Sequence, residues 1–356
     1  MKTIIKKLCW YTTYLFCVCW VFTAQAQFLS VEHVAYNAGK VKAISPNGNY
    51  FLSKGSQQYG LYTLKEGRLS RIAGLCCFRG KRSDAQFVDV GSSTQKILTF
   101  EQEGEQPLTL KLWSIKGQTI ESIALDIKNP DYSFSIESSG RYAFVLDNSR
   151  VTVVNLDKLS IARQVSIKGE GNPKAVWGNA SLNYLAIVYK DNQVKFYDLN
   201  TKSMLAGLTV DSHTSVNSAV FVGRNQQHIL LPFNDRSIVQ FDIQKNQRVR
   251  EFSSQERASI KRLYIDKNGE NLFSVSSKGV SVFDINQGKN IAYIHVSDVL
   301  KEGAKRDEAR AWFNHFQFSD ATNSVYVLDN FNSINQVIFQ KEGTPPVGRQ
   351  QSVLAN

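Results

Sequence analysis

The chain has 356 residues, 42% of them hydrophobic, which is enough for one large β domain or two ordinary ones. Its formal net charge of +11 is spread along the sequence rather than gathered in blocks, which points to a solvated surface and away from nucleic acid. Five cysteines, only Cys76 and Cys77 beyond residue 26, exclude a disulfide framework and a four-cysteine zinc site.

In chain order, Lys2, Lys6 and Lys7 form a basic start, Leu8 to Phe22 an apolar core, and Ala24-Gln25-Ala26 a small-x-small close. This pattern reads as a secretory signal peptide over residues 1–26, cleaved before Gln27; the apolar run is short of the roughly twenty residues a spanning helix needs. Phe28 to Tyr36 reads as one strand with no partner beside it in sequence. Then Val41 to Ile44, a turn at Ser45-Pro46-Asn47-Gly48, Asn49 to Ser53, Leu61 to Leu64 and Leu69 to Leu75 form a meander of short antiparallel strands.

That meander recurs. Its third strand carries an alternating phrase, clearest as Val194 to Asn200, Ile238 to Gln244 and Val280 to Asn286. Copies of the phrase end at Leu64, Ile115, Leu156, Leu199, Ile243, Ile285 and Phe339, a period of roughly 40 to 45 residues through the middle of the chain. Seven units of four strands at that period predict an all-β, seven-bladed β-propeller of four-stranded antiparallel blades over residues 27–341. The last unit lacks a fourth strand and Phe28 to Tyr36 is spare, so the N-terminal strand is expected to close the ring. Residues 342–356 read as a flexible C-terminal tail.

Three units close on an aromatic–Asp–aliphatic triplet: Tyr197-Asp198-Leu199, Phe241-Asp242-Ile243 and Phe283-Asp284-Ile285. In this the chain resembles a divergent WD-repeat-like propeller, and it is similar in its loose repeats to the quinoprotein-like propellers of bacteria. No unit has the Trp-Asp dipeptide, Trp113-Ser114 being nearest, and the Gly-His dipeptide of that family is absent. The resemblance implies a rigid interaction platform without catalysis.

Connections from fourth to first strands and from second to third strands should share one face, and loops on a rigid scaffold are where binding residues concentrate. Three stretches on that face stand out. Arg79-Gly80-Lys81-Arg82 is a basic tip that can dock an anionic group or be a solvated turn. Beside it, Cys76 and Cys77 read either as a redox pair closing a strained ring or as two thiols at a strand end. Glu101 to Glu105 reads as a polar loop tip without calcium-ligand spacing. In Ser297 to Asn314, Val299, Leu300, Ala304, Ala309, Trp312 and Phe313 can stripe one face of a short helix, which would grip a partner or pack on the last two blades.

None of His33, His213, His228, His295 and His315 forms the i, i+4 pair of a metal hydrolase, and no nucleophile elbow, phosphate loop or haem-attachment motif is present. The sequence therefore predicts no catalytic residues, no metal and no cofactor. The reading is an exported, periplasmic or secreted, monomeric platform that binds a protein or cell-envelope partner through Arg79, Lys81, Arg82, Trp312 and Phe313, with no nucleic acid and no membrane span after cleavage. The alternative is a hydrolase or cofactor-dependent oxidoreductase with its site on the propeller axis.

Overall fold

A computed structural model describes residues 27–35, 41–56, 58–65, 68–76, 82–89, 95–129, 131–137, 139–167, 171–180, 183–209, 216, 218–222, 227–233, 236–255, 258–300, 310–319 and 322–341. The expected residues 1–26 and 342–356 lie outside that set. The described strands form seven four-stranded antiparallel sheets arranged as a seven-bladed β-propeller.

Blade 1 is β2 (Val41–Ile44), β3 (Tyr50–Lys54), β4 (Gln58–Lys65) and β5 (Arg68–Cys76). Blade 2 is β6 (Arg82–Asp89), β7 (Gln95–Gln102), β8 (Leu108–Ser114) and β9 (Thr119–Leu125), and blade 3 is β10 (Ser133–Ile136), β11 (Tyr142–Leu146), β12 (Arg150–Asn155) and β13 (Ser160–Ser166). Blade 4 is β14 (Pro173–Asn179), β15 (Tyr184–Tyr189), β16 (Gln193–Asp198) and β17 (Met204–Thr209), and blade 5 is β18 (Val220–Val222), β19 (His228–Pro232), β20 (Ser237–Asp242) and β21 (Gln247–Ser253). Blade 6 is β22 (Ile260–Ile265), β23 (Asn271–Ser276), β24 (Gly279–Asp284) and β25 (Lys289–His295), followed by the single turn α1 (Val296–Val299). Blade 7 is β26 (Phe313–Ser319), β27 (Ser324–Asp329), β28 (Ile334–Lys341) and, from the other end of the chain, β1 (Gln27–Ala35).

The closure is as the strand count required. β1 runs antiparallel to β28 from Gln27 opposite Lys341 to Ala35 opposite Ile334, and His33 Nδ1 lies 3.0 Å from Asn335 Oδ1 across the pair. The core is not one body but seven layers, one per blade interface. Leu52, Tyr59 and Leu61 of blade 1 meet Phe87, Ile97 and Trp113 of blade 2, while Val34, Ala35 and Leu328 of blade 7 meet Val41 and Phe51 of blade 1. The five other clusters pair the blades between them in sequence. Second and third strands are covered on both faces, as in the fully buried β23, while the outer strands β9 and β17 are largely exposed. Each buried Phe or Leu contributes on the order of 1.5–3 kcal/mol, so every blade depends on its two neighbours.

The recurring Asp of the sequence phrase has a local structural role. Asp198 Oδ1 accepts the amides of Asn200 and Thr201 at 2.6 and 2.9 Å, and Asp242 Oδ1 those of Gln244 and Lys245 at 3.0 and 2.9 Å. Asp284 Oδ1 accepts the Gln287 amide at 2.8 Å. A short side-chain carboxylate that folds back on the following turn is what a tight hairpin needs, and it explains why Asp ends the third strand. Left-handed residues follow at Lys202, Asn246 and Gly288, and the third strand bulges against the fourth one residue before or at the aromatic.

Candidate functional site

The first strands of all seven blades surround an axial channel, and together with a groove that runs outward past Val249, Arg250 and Ile285 between blades 5 and 6 it encloses about 1720 Å3. A second set of bulges gives its mouth a distinct chemistry. β2, β14, β22 and β26 each slip register at their first residues, between Val41 and Ala43, Pro173 and Ala175, Ile260 and Arg262, and Phe313 and His315. The extra residue is Lys42, Lys174, Lys261 or Asn314, and all four are exposed. A bulge re-aims one side chain out of the alternation, here at the end of the inner strand that the fourth-to-first connections reach. Lys42, Lys261 and Asn314 line the channel, together with Arg262 and His315.

Blades 6, 7 and 1 are consecutive in the ring, so Lys261 and Arg262, His315, and Lys42 form one basic arc. Arg262 Nη1 donates to the Lys261 carbonyl at 3.0 Å. Burial holds the His315 imidazole below its ordinary value, and the charges of Lys42 and Arg262 lower it further. His315 is therefore mainly neutral at pH 7 and can accept as well as donate a hydrogen bond. Half-buried aromatics line the channel on several blades: Phe134 on β10, Trp177 on β14, Phe221 on β18, Tyr264 on β22 and Phe316 on β26. The acids lining the channel, Glu137, Asp266 and Glu270, sit at or beside the turns after β10 and β22, at the far end. Glu137 is occupied by Ser139 and the Ala180 amide, and Asp266 by the amides of Glu270 and Asn271.

The residues singled out from sequence divide. Trp312 is 44% exposed at the same end of β26, its indole Nε1 donating to Asn314 Oδ1 at 2.7 Å and its amide to Asn330 Oδ1 at 2.9 Å. Phe313 is 2% exposed and packs between blades 6 and 7 with Phe273, Phe318 and Val327. The helical stripe expected over this stretch is not formed by the described residues. Among the described residues the α-helix is Val296–Val299, Ala304 and Ala309 of the stripe lie outside them, and Trp312 stands just before β26, exposed, while Phe313 opens that strand and is buried. Arg82 belongs to β6 opposite Gln102 rather than to a loop tip, and Cys76 ends β5 opposite Gln58. Arg79, Lys81 and Cys77, like His213 and residues 301–309, lie outside the described residues.

Glu101 is also corrected. It is a 4%-exposed residue of β7, paired with Lys111 Nζ at 2.8 Å and accepting from Thr99, which in turn accepts from the Trp113 indole at 2.9 Å. It reads as part of a loop in the sequence because Glu103 and Glu105 continue the acidic run, while the turn itself begins only after Gln102. Sequence reasoning missed Lys42, Lys261, Arg262 and His315. The available signal was a lysine at the second position of three inner strands, after Val41, Pro173 and Ile260.

Among the described residues, no group of three or more His, Cys, Asp and Glu side chains converges in a metal-binding arrangement, and no helix is long and apolar enough to cross a membrane. No protein-family model matches the chain, and no curated protein matches it. Many solved chains share the fold. One is the crystal structure of Chaetomium thermophilum Raptor, with a TM-score of 0.62 and 11% sequence identity. The match covers 89% of this chain but 28% of that one, and at this identity the likeness is one of fold.

Proposed function

We propose that this chain is an exported, non-catalytic interaction platform that binds a protein partner of the cell envelope through the propeller face carrying Trp312 and the channel mouth. The observation that carries it is Trp312: a large indole held open to solvent by hydrogen bonds at both its ring and its backbone, on a face supported by packed blades. Tryptophan, tyrosine and arginine are the usual anchors of protein interfaces. The basic stretch of Arg79, Lys81 and Arg82 leads into the inner strand β6 at this same end of the ring and belongs to the proposed surface. Phe313 supports it from below as a core residue. Export rests on the pattern of residues 1–26, with Gln27, the first residue of β1, as the expected mature terminus.

The test replaces Arg79, Lys81 and Arg82 by Gln and Trp312 by Ala in the full chain, leaving Phe313 intact. Affinity capture from the native host, with the captured proteins identified and one of them purified, should show that partner binding falls by at least about tenfold, the loss of one anchor. The melting temperature should stay within a degree or two. F313A is the contrasting variant: it should cost about 3–5 kcal/mol of stability, as other buried Phe truncations do. Undiminished binding of the purified partner by the fourfold variant would refute the surface.

A further inference from the structure

The axial channel pairs a basic arc at its mouth with aromatic side chains around its wall. With the groove that opens from it between blades 5 and 6 it encloses about 1720 Å3, against about 300–1,000 Å3 for typical small-molecule pockets. Its wall is made of inner strands whose outer neighbours lie on one side only, so each presents a sheet edge to the lumen. An extended peptide is the occupant that fills a tall channel and meets strand edges with backbone groups of its own. The basic arc on blades 6, 7 and 1 selects acidic side chains, and the aromatics on blades 4 and 5 select an apolar one.

We propose that the channel mouth receives an extended acidic segment of the partner protein, with its carboxylates against Lys42, Lys261 and Arg262 beside His315 and an apolar side chain against Trp177 and Phe221. This rests on the interaction-platform reading and names the partner chemistry that such a platform takes. The three bulges that place Lys42, Lys261 and Asn314 at the lumen are the structural device: regular pairing would return these residues to the blade alternation. Arg adds a planar fork matched to a carboxylate, while the two lysines act as point charges.

The experiment uses the full chain and a short fluorescein-labelled peptide of Asp and Glu around one Phe, read by fluorescence anisotropy. The controls are the same peptide with Asn and Gln, and inorganic phosphate as competitor. The acidic probe should bind, more weakly as salt rises, and the amide probe should bind at least about tenfold less tightly. K42E/R262E should weaken the acidic probe by at least about tenfold, and W177A should weaken it several-fold. If the double reversal lowers the melting temperature, K42Q/R262Q takes its place with the same direction expected.

No binding of the acidic probe to the unmodified chain would overturn the proposal, as would equal binding by K42Q/R262Q. Displacement of the probe by phosphate at concentrations where chloride has no effect would overturn it too, by showing a free-anion site. W312A separates this proposal from the one beneath it: capture of the intact partner falls while the short probe binds as before. If the fourfold variant above captures the partner undiminished and the probe still depends on Lys42 and Arg262, the face fails and the channel stands.

Discussion

Asp242 shows how one residue of the repeat does several jobs. It is 1% exposed, accepts two turn amides, and has His228 Nε2 at 3.4 Å and Lys245 Nζ at 3.8 Å. Burial by itself would raise its carboxyl, but the Lys245 amide, His228, the Gln244 amide and the Lys245 charge together hold it below its ordinary value of 3.8. A carboxyl lowered in the fold contributes stability that is present above 3.8 and lost as pH falls through the lower folded value. D242N keeps an acceptor for the turn but not the charge, so it should cost about 1 kcal/mol near pH 7. Thermal unfolding from pH 6 to pH 2 should show the gap between D242N and the parent narrowing below pH 3.8. A constant gap would mean that the charge of Asp242 does nothing for stability. The Asp was legible in the sequence as a motif, but its contact with His228 was not, because His228 belongs to a neighbouring strand.

At the scale of elements, the inner strands are where regularity gives way. The third strands were readable by recurrence: the phrase that closes on an aromatic, an Asp and an aliphatic residue returns blade after blade, although both faces of these strands are buried. Four of the seven inner strands are bulged and two others are short, β18 with three residues and β10 with four, so the same pattern is diluted. Their packing is nonetheless tight. A Cβ built on Gly178 of β14 would fall 2.2 Å from Phe144 Cε1 of β11, so the glycine sets the distance between blades 3 and 4. G178A should cost about 1–3 kcal/mol as an overpacked contact. In an F144L background the added cost should shrink, and a double-mutant cycle by urea unfolding checks this. Equal penalties in both backgrounds would show that backbone freedom, not the approach to Phe144, fixes glycine there. Phe313, the first residue of β26, turns into the layer between blades 6 and 7, while Trp312 just before the strand stays exposed.

At the scale of the molecule, the ring holds itself together by its last pair. β1 and β28 are joined over the full length of β1, although they come from opposite ends of the chain. Deletion of residues 27–35 should leave the β28 edge open and strip Val34 and Ala35 from the layer between blades 7 and 1. Size-exclusion chromatography should then show oligomers or aggregate, and the melting transition should broaden or fall. A monomer with the parent's transition would show that the ring does not need the pair. The blade count, the closing strand and the face that carries the connections followed from the sequence alone, because a period and an alternation are local properties that repetition amplifies. The basic arc of Lys42, Lys261, Arg262 and His315, the aromatic lining of the channel, and the inward turn of Phe313 came only from the tertiary structure. They depend on which blades stand next to one another around the axis and on single-residue slips in pairing, which the lysines after Val41, Pro173 and Ile260 mark only once the pairing of those strands is known.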